Sequence, residues 1–432
     1  MKSNHIPLYQ RLYDDIKIKI INKEFKKNTK LESVRSLAKR LDISTTTVEK
    51  TYNQLLVEGY VKSIPRSGYI VLDVHSLEKN RKHNLIEPIR HQLYKNNQLT
   101  EDLFDIKSYK TIVNKVMNYE SEKLFTECDP RGELELREEI RKYVLQERSV
   151  TCDINQIIVG PGTQSLLHIL LSLKKLKSVA YLTPEFSKAM NVFRSYDYSL
   201  KPRSSVTEIC RLKTDYLYIS PSNIYPTGEV LKAKDRNDLI KWAQETDTYI
   251  IEDDYNFFIR YNSYIIPSIH SYNPDRVIYM GSFAKTIIPS IRISYMILPK
   301  DLYNIYKEVY QNFAQGVSKL DQLSLGLFMK EGLFRRHTKK LYNQYKEKND
   351  LLLKSLSKYN KHHAFKVSGT DSNLHVIIDF KKRESLDIFV RNCERYYLKF
   401  NIIENKNSVI FPYSGIENKQ IPNTIKDLFY NM

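Results

Sequence analysis

Apolar residues recur every fourth position at Leu8, Leu12, Ile16 and Ile20, the spacing that keeps one face of an α-helix buried. Two shorter helical stretches follow, Ser33 to Leu41 and Ser44 to Gly59, joined by Asp42 and Ile43, with Ser44 suited to an N-cap and Gly59 to a C-cap. Tyr60 to Val74 then alternates as a hairpin does, with Pro65 to Gly68 at its tip. Helix, helix-turn-helix and hairpin in that order predict a winged helix-turn-helix over residues 1–75. Residues 76–103 are polar, charged and weakly periodic, and read as a linker with room for one helix from Ile86 to Leu93.

Beyond Phe104 helical and apolar strand segments alternate, which predicts an α/β fold with a mostly parallel sheet across a large region, residues 104–432. Helices are expected at Leu134–Glu147 and Gln164–Leu173. Strands are expected at Gln156–Val159, Ser178–Leu182, Tyr216–Ser220, Thr248–Glu252, Arg276–Met280 and Ile293–Leu298. No internal repeat is visible.

Composition changes this picture little. With 41% hydrophobic and 27% charged residues the chain is globular, and a net charge of +18 suits an anionic partner such as nucleic acid. Residues 1–75 hold fourteen basic and eight acidic residues, a net +6 concentrated in a sixth of the chain. Cys128, Cys152, Cys210 and Cys393 form no CxxC pair, and the ten histidines show no metal-ligand spacing, so neither a disulfide framework nor a metal site is expected. No apolar run has membrane-spanning length and no leader is evident at the N-terminus, which predicts a cytoplasmic protein.

Candidate chemistry centres on Lys285, on a short connector between the apolar runs Val277–Met280 and Ile293–Leu298. Burial there disfavours the ammonium and lowers the lysine pKa, as a Schiff-base amine requires near neutral pH. Other polar groups collect at strand ends, where open sheets bind ligands. Gly160-Pro161-Gly162-Thr163-Gln164 opens a helix and offers backbone N–H groups and a hydroxyl to a phosphate. Thr183-Pro184-Glu185-Phe186 brings an aromatic ring suited to stacking. Ser220 to Gly228 supplies polar groups and a tight turn, and Glu252-Asp253-Asp254-Tyr255 ends an apolar strand in carboxylates.

At the N-terminus, Thr45, Thr46 and Thr47 behind the cap Ser44 can reach phosphates or base edges, while Val48, Leu55 and Leu56 hold their helix to the core. Arg35, Lys39, Lys50 and, on the wing, Lys62, Arg66 and Gly68 complete the candidate DNA-binding set. The runs Leu31-Glu32-Ser33-Val34-Arg35-Ser36-Leu37-Ala38, Ile43-Ser44-Thr45-Thr46-Thr47-Val48, Glu58-Gly59-Tyr60 and Ser67-Gly68-Tyr69 resemble the DNA-binding domain of GntR-family bacterial regulators. Glu32 replaces the family's usual proline, and Thr45 stands where many members carry a base-reading arginine.

The motifs PGTQ, TPEF, SPSNIYPTG, EDDY and SFAK, with Arg292, resemble in their chain order the fold-type I pyridoxal-phosphate enzymes of the aspartate aminotransferase superfamily. Joined to a GntR-like head, they resemble the MocR subfamily of regulators, which includes the GabR and PdxR types. The resemblance implies pyridoxal 5'-phosphate as cofactor, a smaller C-terminal α+β lobe within residues 301–432, a homodimer that is either domain-swapped or head-to-tail, and promoter DNA as partner. It implies Lys285 as the Schiff-base lysine and Asp253, or Asp254 if the strand turns the other way, as partner of the pyridine nitrogen. Tyr255 and Asn223 are implied near the ring 3-oxygen, and Phe186 on the ring face. Gly162, Thr163, Gln164, Ser282 and Arg292 are implied around the phosphate.

Three features depart from the superfamily pattern. Tyr225 occupies the usual asparagine position before Pro-Thr-Gly, and Glu127 stands where a tyrosine commonly reaches the partner subunit's cofactor phosphate. No arginine follows Arg395, so the guanidinium that clamps a substrate carboxylate in aminotransferases is missing. The expectation is a transcriptional regulator that senses pyridoxal phosphate or a linked metabolite, in the manner of regulators of vitamin B6 synthesis. The alternatives are a working aminotransferase with a DNA-binding head and a cofactor-free dimerisation scaffold.

Overall fold

The computed structural model describes residues 8–22, 24–65, 68–72, 103–183, 187–262, 265–360, 363–396, 398, 400–403 and 406–429. The linker expected at 76–103 therefore lies, except for Leu103, outside the described residues, as do Arg66 and Phe186. The chain divides into two units, Met1–His91 and Gln92–Met432.

In the first unit, helices α1 (Leu8–Ile21), α2 (Val34–Leu41) and α3 (Thr45–Val57) precede strands β1 (Val61–Ile64) and β2 (Gly68–Val71). Tyr13, Ile16 and Ile20 of α1 meet Leu37 and Ala38 of α2 and Val48, Tyr52 and Leu55 of α3 in one core. Ser33 and Ser44 cap α2 and α3 by accepting from the Ser36 and Thr47 amides, each at 3.2 Å. Asp42 ends α2 in the left-handed region (φ 53°), which permits the abrupt turn into α3. The wing pairs antiparallel from Val61↔Val71 to Ile64↔Gly68. Leu56 does not hold α3 to the core as expected: one position past Leu55 it is turned about 100° around the helix and lies exposed.

The second unit is built on a seven-stranded sheet among the described residues. Its strands are β3 (Ile157–Gly160), β4 (Ser178–Leu182), β5 (Ser199–Arg203), β6 (Tyr216–Ile219), β7 (Tyr249–Asp253), β8 (Val277–Ser282) and β9 (Ser294–Ile297), in the order β3-β9-β8-β7-β6-β4-β5. Neighbours from β5 across to β8 are parallel, and β9 runs antiparallel to both β8 and β3.

Helices α4 (Ile106–Tyr119), α5 (Leu134–Arg148), α6 (Thr163–Leu173), α7 (Ser187–Ser195), α8 (Val206–Ile209), α9 (Ala233–Thr246), α10 (Lys300–Val309) and α11 (Lys319–Lys330) surround this sheet. Alternate strand residues point to opposite faces. Tyr218, Tyr249, Ile251, Ile278 and Met280 pack with α6, α7 and α10 on one face. Ile250 and Val277 meet α9, and Tyr279 and Ile297 meet α4, α5 and α11, on the other. Cover on both faces explains why the strands read as continuous apolar runs.

The smaller lobe follows helix α12 (Leu333–Tyr359) and contains strands β10 (Phe365–Ser368), β11 (His375–Phe380), β12 (Asn401–Ile403) and β13 (Ser408–Pro412). These pair antiparallel in the order β10-β11-β13-β12, backed by α13 (Arg383–Arg395) and α14 (Ile421–Leu428). Its core starts with Leu352 and Leu356 of α12, whereas Leu302 and Tyr306 of α10 belong to the large-sheet core. The lobe thus begins later in the chain than residue 301. Among the described residues no helix is long and apolar enough to cross a membrane.

Candidate functional site

The site gathers at the C-terminal ends of β6, β7 and β8 and the N-terminus of α6. Lys285 follows β8 on a short turn, partly buried. Burial, with help from the charge of Lys188, lowers its pKa to about 8, so a substantial neutral fraction exists near physiological pH.

The pleat of β7 separates the two aspartates. Asp253, in step with Tyr249 and Ile251, lies on the α6 face and accepts a hydrogen bond from the Tyr218 hydroxyl. Burial pushes its carboxyl up to about 7; the Tyr218 bond opposes this shift and Asp254 adds to it. Asp254 is turned to the other face, where it binds Arg148 Nε at 2.6 Å and the Tyr279 hydroxyl at 2.7 Å. Asp253 and Asp254 thus face opposite sides of the sheet, Asp253 toward Tyr218 and Asp254, through Oδ2, toward Arg148 and Tyr279.

Near Asp253, burial raises the Tyr255 hydroxyl pKa, and Asp253 and Tyr225 reinforce the shift, so these three groups share one electrostatic environment. Burial likewise raises the Tyr225 hydroxyl. Asn223, on the turn after β6, is almost fully buried, yet neither atom of its side-chain amide has a hydrogen-bond partner within the protein. A buried amide in that state fits a site whose ligand supplies the missing partner.

At the opposite end, Gly162 caps α6 with φ 119°, a conformation that disfavours any side chain. A Cβ there would also come within 2.8 Å of Arg292 Nη2, so the guanidinium lies directly over this glycine. Thr163 begins the helix behind it, and Ser282 accepts from the Ala284 amide at 3.2 Å and from the Ser294 hydroxyl at 2.9 Å. The N-terminus of α6 and the Arg292 guanidinium are thereby brought side by side. The Gln164 amide nitrogen donates instead to the Lys188 carbonyl at 3.2 Å, tying α6 to α7.

The smaller lobe closes the site through residues with no obvious signature in the sequence. His375, the first residue of β11, places Nε2 2.8 Å from the Pro226 carbonyl, and its ring stands 6.0 Å from that of Tyr225. Nε2 donates to that carbonyl; burial lowers the ring's pKa, the Pro226 bond opposes the shift and the Lys285 charge adds to it. Ser372 donates to the Gly228 carbonyl at 2.7 Å. A side chain at Gly228, which has φ 72°, would collide with Ser372 and Asn373.

In the first unit, Arg35, Lys39, Ser44, Thr45, Thr46, Lys50 and Lys62 are exposed, and Thr47 and Gly68 are partly so. The expected DNA-contacting side chains of α2 and α3 are thus on the surface, while Val48 and Leu55 of α3 face inward.

A winged helix-turn-helix joined to an aminotransferase-like body carrying this site defines a class of proteins. Residues 8–71 match the family of bacterial regulatory proteins of the gntR type, and residues 96–417 match aminotransferase class I and II. The chain belongs to the MocR-like helix-turn-helix regulators, which carry both parts in that order.

It is 32% identical over 394 residues to the uncharacterized HTH-type transcriptional regulator YhdI of Bacillus subtilis, covering 87% of this chain and 84% of that one. The probable rhizopine catabolism regulatory protein MocR of Rhizobium meliloti is 25% identical, covering 98% and 93%. The HTH-type pyridoxine biosynthesis transcriptional regulator PdxR of Corynebacterium glutamicum is 26% identical, covering 82% and 80%. Among solved structures, an archaeal alanine:glyoxylate aminotransferase superposes with a TM-score of 0.69 at 19% identity, covering 78% of this chain and 89% of that one.

Proposed function

We propose that the protein is a homodimeric transcriptional regulator that binds promoter DNA through α2, α3 and the wing, and responds to pyridoxal 5'-phosphate held at Lys285. The observation that carries the reading is the unpartnered buried amide of Asn223, together with a lysine of lowered pKa and the Gly162–Arg292 cradle. When bound, the cofactor supplies an aldehyde on an electron-withdrawing pyridine ring.

The chain's own residues divide the work. Lys285 offers the attacking amine. Asp253 takes the ring nitrogen and keeps it protonated, a task suited to its place on the α6 face. Asn223 and Tyr255 take the ring oxygen, with Tyr225 beside them. Gly162, Thr163, Ser282 and Arg292 take the phosphate.

No arginine follows Arg395, and the smaller lobe presents His375 beside Tyr225. This favours the cofactor itself as effector over an amino acid held by its carboxylate. It also favours sensing over transamination. The PdxR relative, named for regulation of pyridoxine biosynthesis, supports control of vitamin B6 supply as the physiological role.

The effector reading is tested by footprinting the protein on the DNA upstream of its own gene and adjacent operons, with and without pyridoxal phosphate. A footprint whose affinity or extent changes with the cofactor in wild type, but not in Lys285→Ala, is expected. A cofactor-indifferent footprint contradicts it. Conversion of bound cofactor to pyridoxamine phosphate by a natural amino acid would instead establish the aminotransferase alternative.

A further inference from the structure

Arg148 is the last residue of α5 and is 1% exposed. Its guanidinium donates from Nε to Asp254 at 2.6 Å and from Nη2 to the Ser222 hydroxyl at 2.6 Å, while Nη1 binds the Ile266 carbonyl. Glu252 lies 3.8 Å from Nη2, and the Phe257 ring centroid 5.1 Å from the guanidinium carbon. Burial disfavours the charge, yet Asp254, Tyr279 and Glu252 together hold its pKa above the ordinary arginine value.

One side chain thereby grips two separate segments of the site, each at the residue next to a proposed ligand contact. Ser222 precedes Asn223 on the turn after β6, and Asp254 follows Asp253 at the end of β7. Glu252, on the same face as Asp254, is also satisfied by the Ser268 hydroxyl at 2.5 Å and by the Ile269 and His270 amides at 3.1 and 3.0 Å. Because the pleat alternates, anchoring 252 and 254 to one face leaves Asp253 directed to the other.

We propose that Arg148 is a positioning residue for the cofactor: by holding Asp254 and Ser222 it aims Asp253 at the ring nitrogen and Asn223 at the ring oxygen without touching the ligand. This rests on the cofactor reading above. Lysine cannot replace it, since a single ammonium cannot present the planar fork that reaches both partners.

The test is a pyridoxal-phosphate titration followed by visible absorbance, with the pH midpoint of the band and the thermal unfolding temperature recorded for each variant. Arg148→Lys, and Arg148→Met combined with Asp254→Asn so that Asp254 is not left as an unpaired carboxylate while Glu252 keeps its bonds from Ser268, Ile269 and His270, are expected to stay folded. Each is expected to bind the cofactor about tenfold more weakly, the scale on which outer-shell partners act on a bound group, and to move the pH midpoint toward that of Asp253→Asn.

A folded variant that binds within about twofold of wild type with an unmoved midpoint overturns the proposal. If neither variant folds, Ser222→Ala, which removes only a hydroxyl, decides: weaker cofactor binding is expected, and unchanged binding overturns it. Absence of a band in wild type itself overturns the cofactor reading, and this inference falls with it. A normal wild-type band with indifferent Arg148 variants overturns this inference alone.

Discussion

Arg292 Nη2 lies so close over Gly162 that a single methyl group on that glycine would approach it to 2.8 Å. The closeness brings a helix N-terminus and a guanidinium to the same few ångströms of space. In Gly162→Ala the side chain would both crowd Arg292 and force a strained backbone at φ 119°, at a cost of about 1–3 kcal/mol. The expected result is pyridoxal-phosphate affinity reduced by roughly five- to 150-fold at that cost, read by absorbance titration. Arg292→Gln is expected to lose comparable affinity for pyridoxal phosphate and much less for pyridoxal, which lacks the phosphate.

Asp253 makes the ligand-free protein sensitive to acidity in a defined direction. Its folded-state pKa, about 7, lies above the ordinary carboxylate value, so the native state holds a proton that the unfolded chain releases. Its contribution to stability is full below the unfolded pKa of about 4 and is lost as pH rises through about 7. Thermal unfolding of the cofactor-free protein across this range is expected to show a shallower fall in Asp253→Asn. An unchanged slope contradicts the burial of this carboxyl.

Lys285 should titrate earlier than a surface lysine. With its pKa near 8, the rate of cofactor capture is expected to climb between pH 7 and 9 and then level off. Stopped-flow absorbance measures it directly. A rate still rising tenfold per pH unit above 9 would mean an ordinary, solvated ammonium.

The first unit permits separate predictions for its caps and its charges. Ser44→Ala removes the bond to the Thr47 amide and should destabilise the unit by about 1 kcal/mol. Arg35→Ala and Lys50→Ala leave the core untouched. Each should lower the slope of log affinity for promoter DNA against log salt by about 1 if it contacts a phosphate. Filter binding at several salt concentrations reads this slope.

Much of this architecture is legible in the chain itself. The four-residue spacing along α1, the serine caps of α2 and α3 and the apolar runs of β6, β7 and β8 all act over a few residues, and each element stands within a residue or two of its expected place. The choice between Asp253 and Asp254 was not decidable from local sequence, because it depends on which face of β7 meets α6. Arg148 gave no sign either. At the end of an amphipathic helix an arginine reads as a solvated charge, and only the approach of β7 and the Ser222 turn, 74 and more residues away, buries it. His375 enters the site by the docking of β11 on the Pro226 turn, a contact spanning 149 residues. Leu56 failed as a core residue because neighbours on a helix diverge by about 100°, so only one of the Leu55–Leu56 pair can face inward.

The central claim is that one amine, Lys285, captures the cofactor. Borohydride reduction of the protein mixed with pyridoxal phosphate, followed by peptide mass spectrometry, fixes the group to whichever lysine holds it. A single phosphopyridoxyl adduct on Lys285 is the predicted result; an adduct spread over surface lysines, or concentrated on Lys188, would contradict the account.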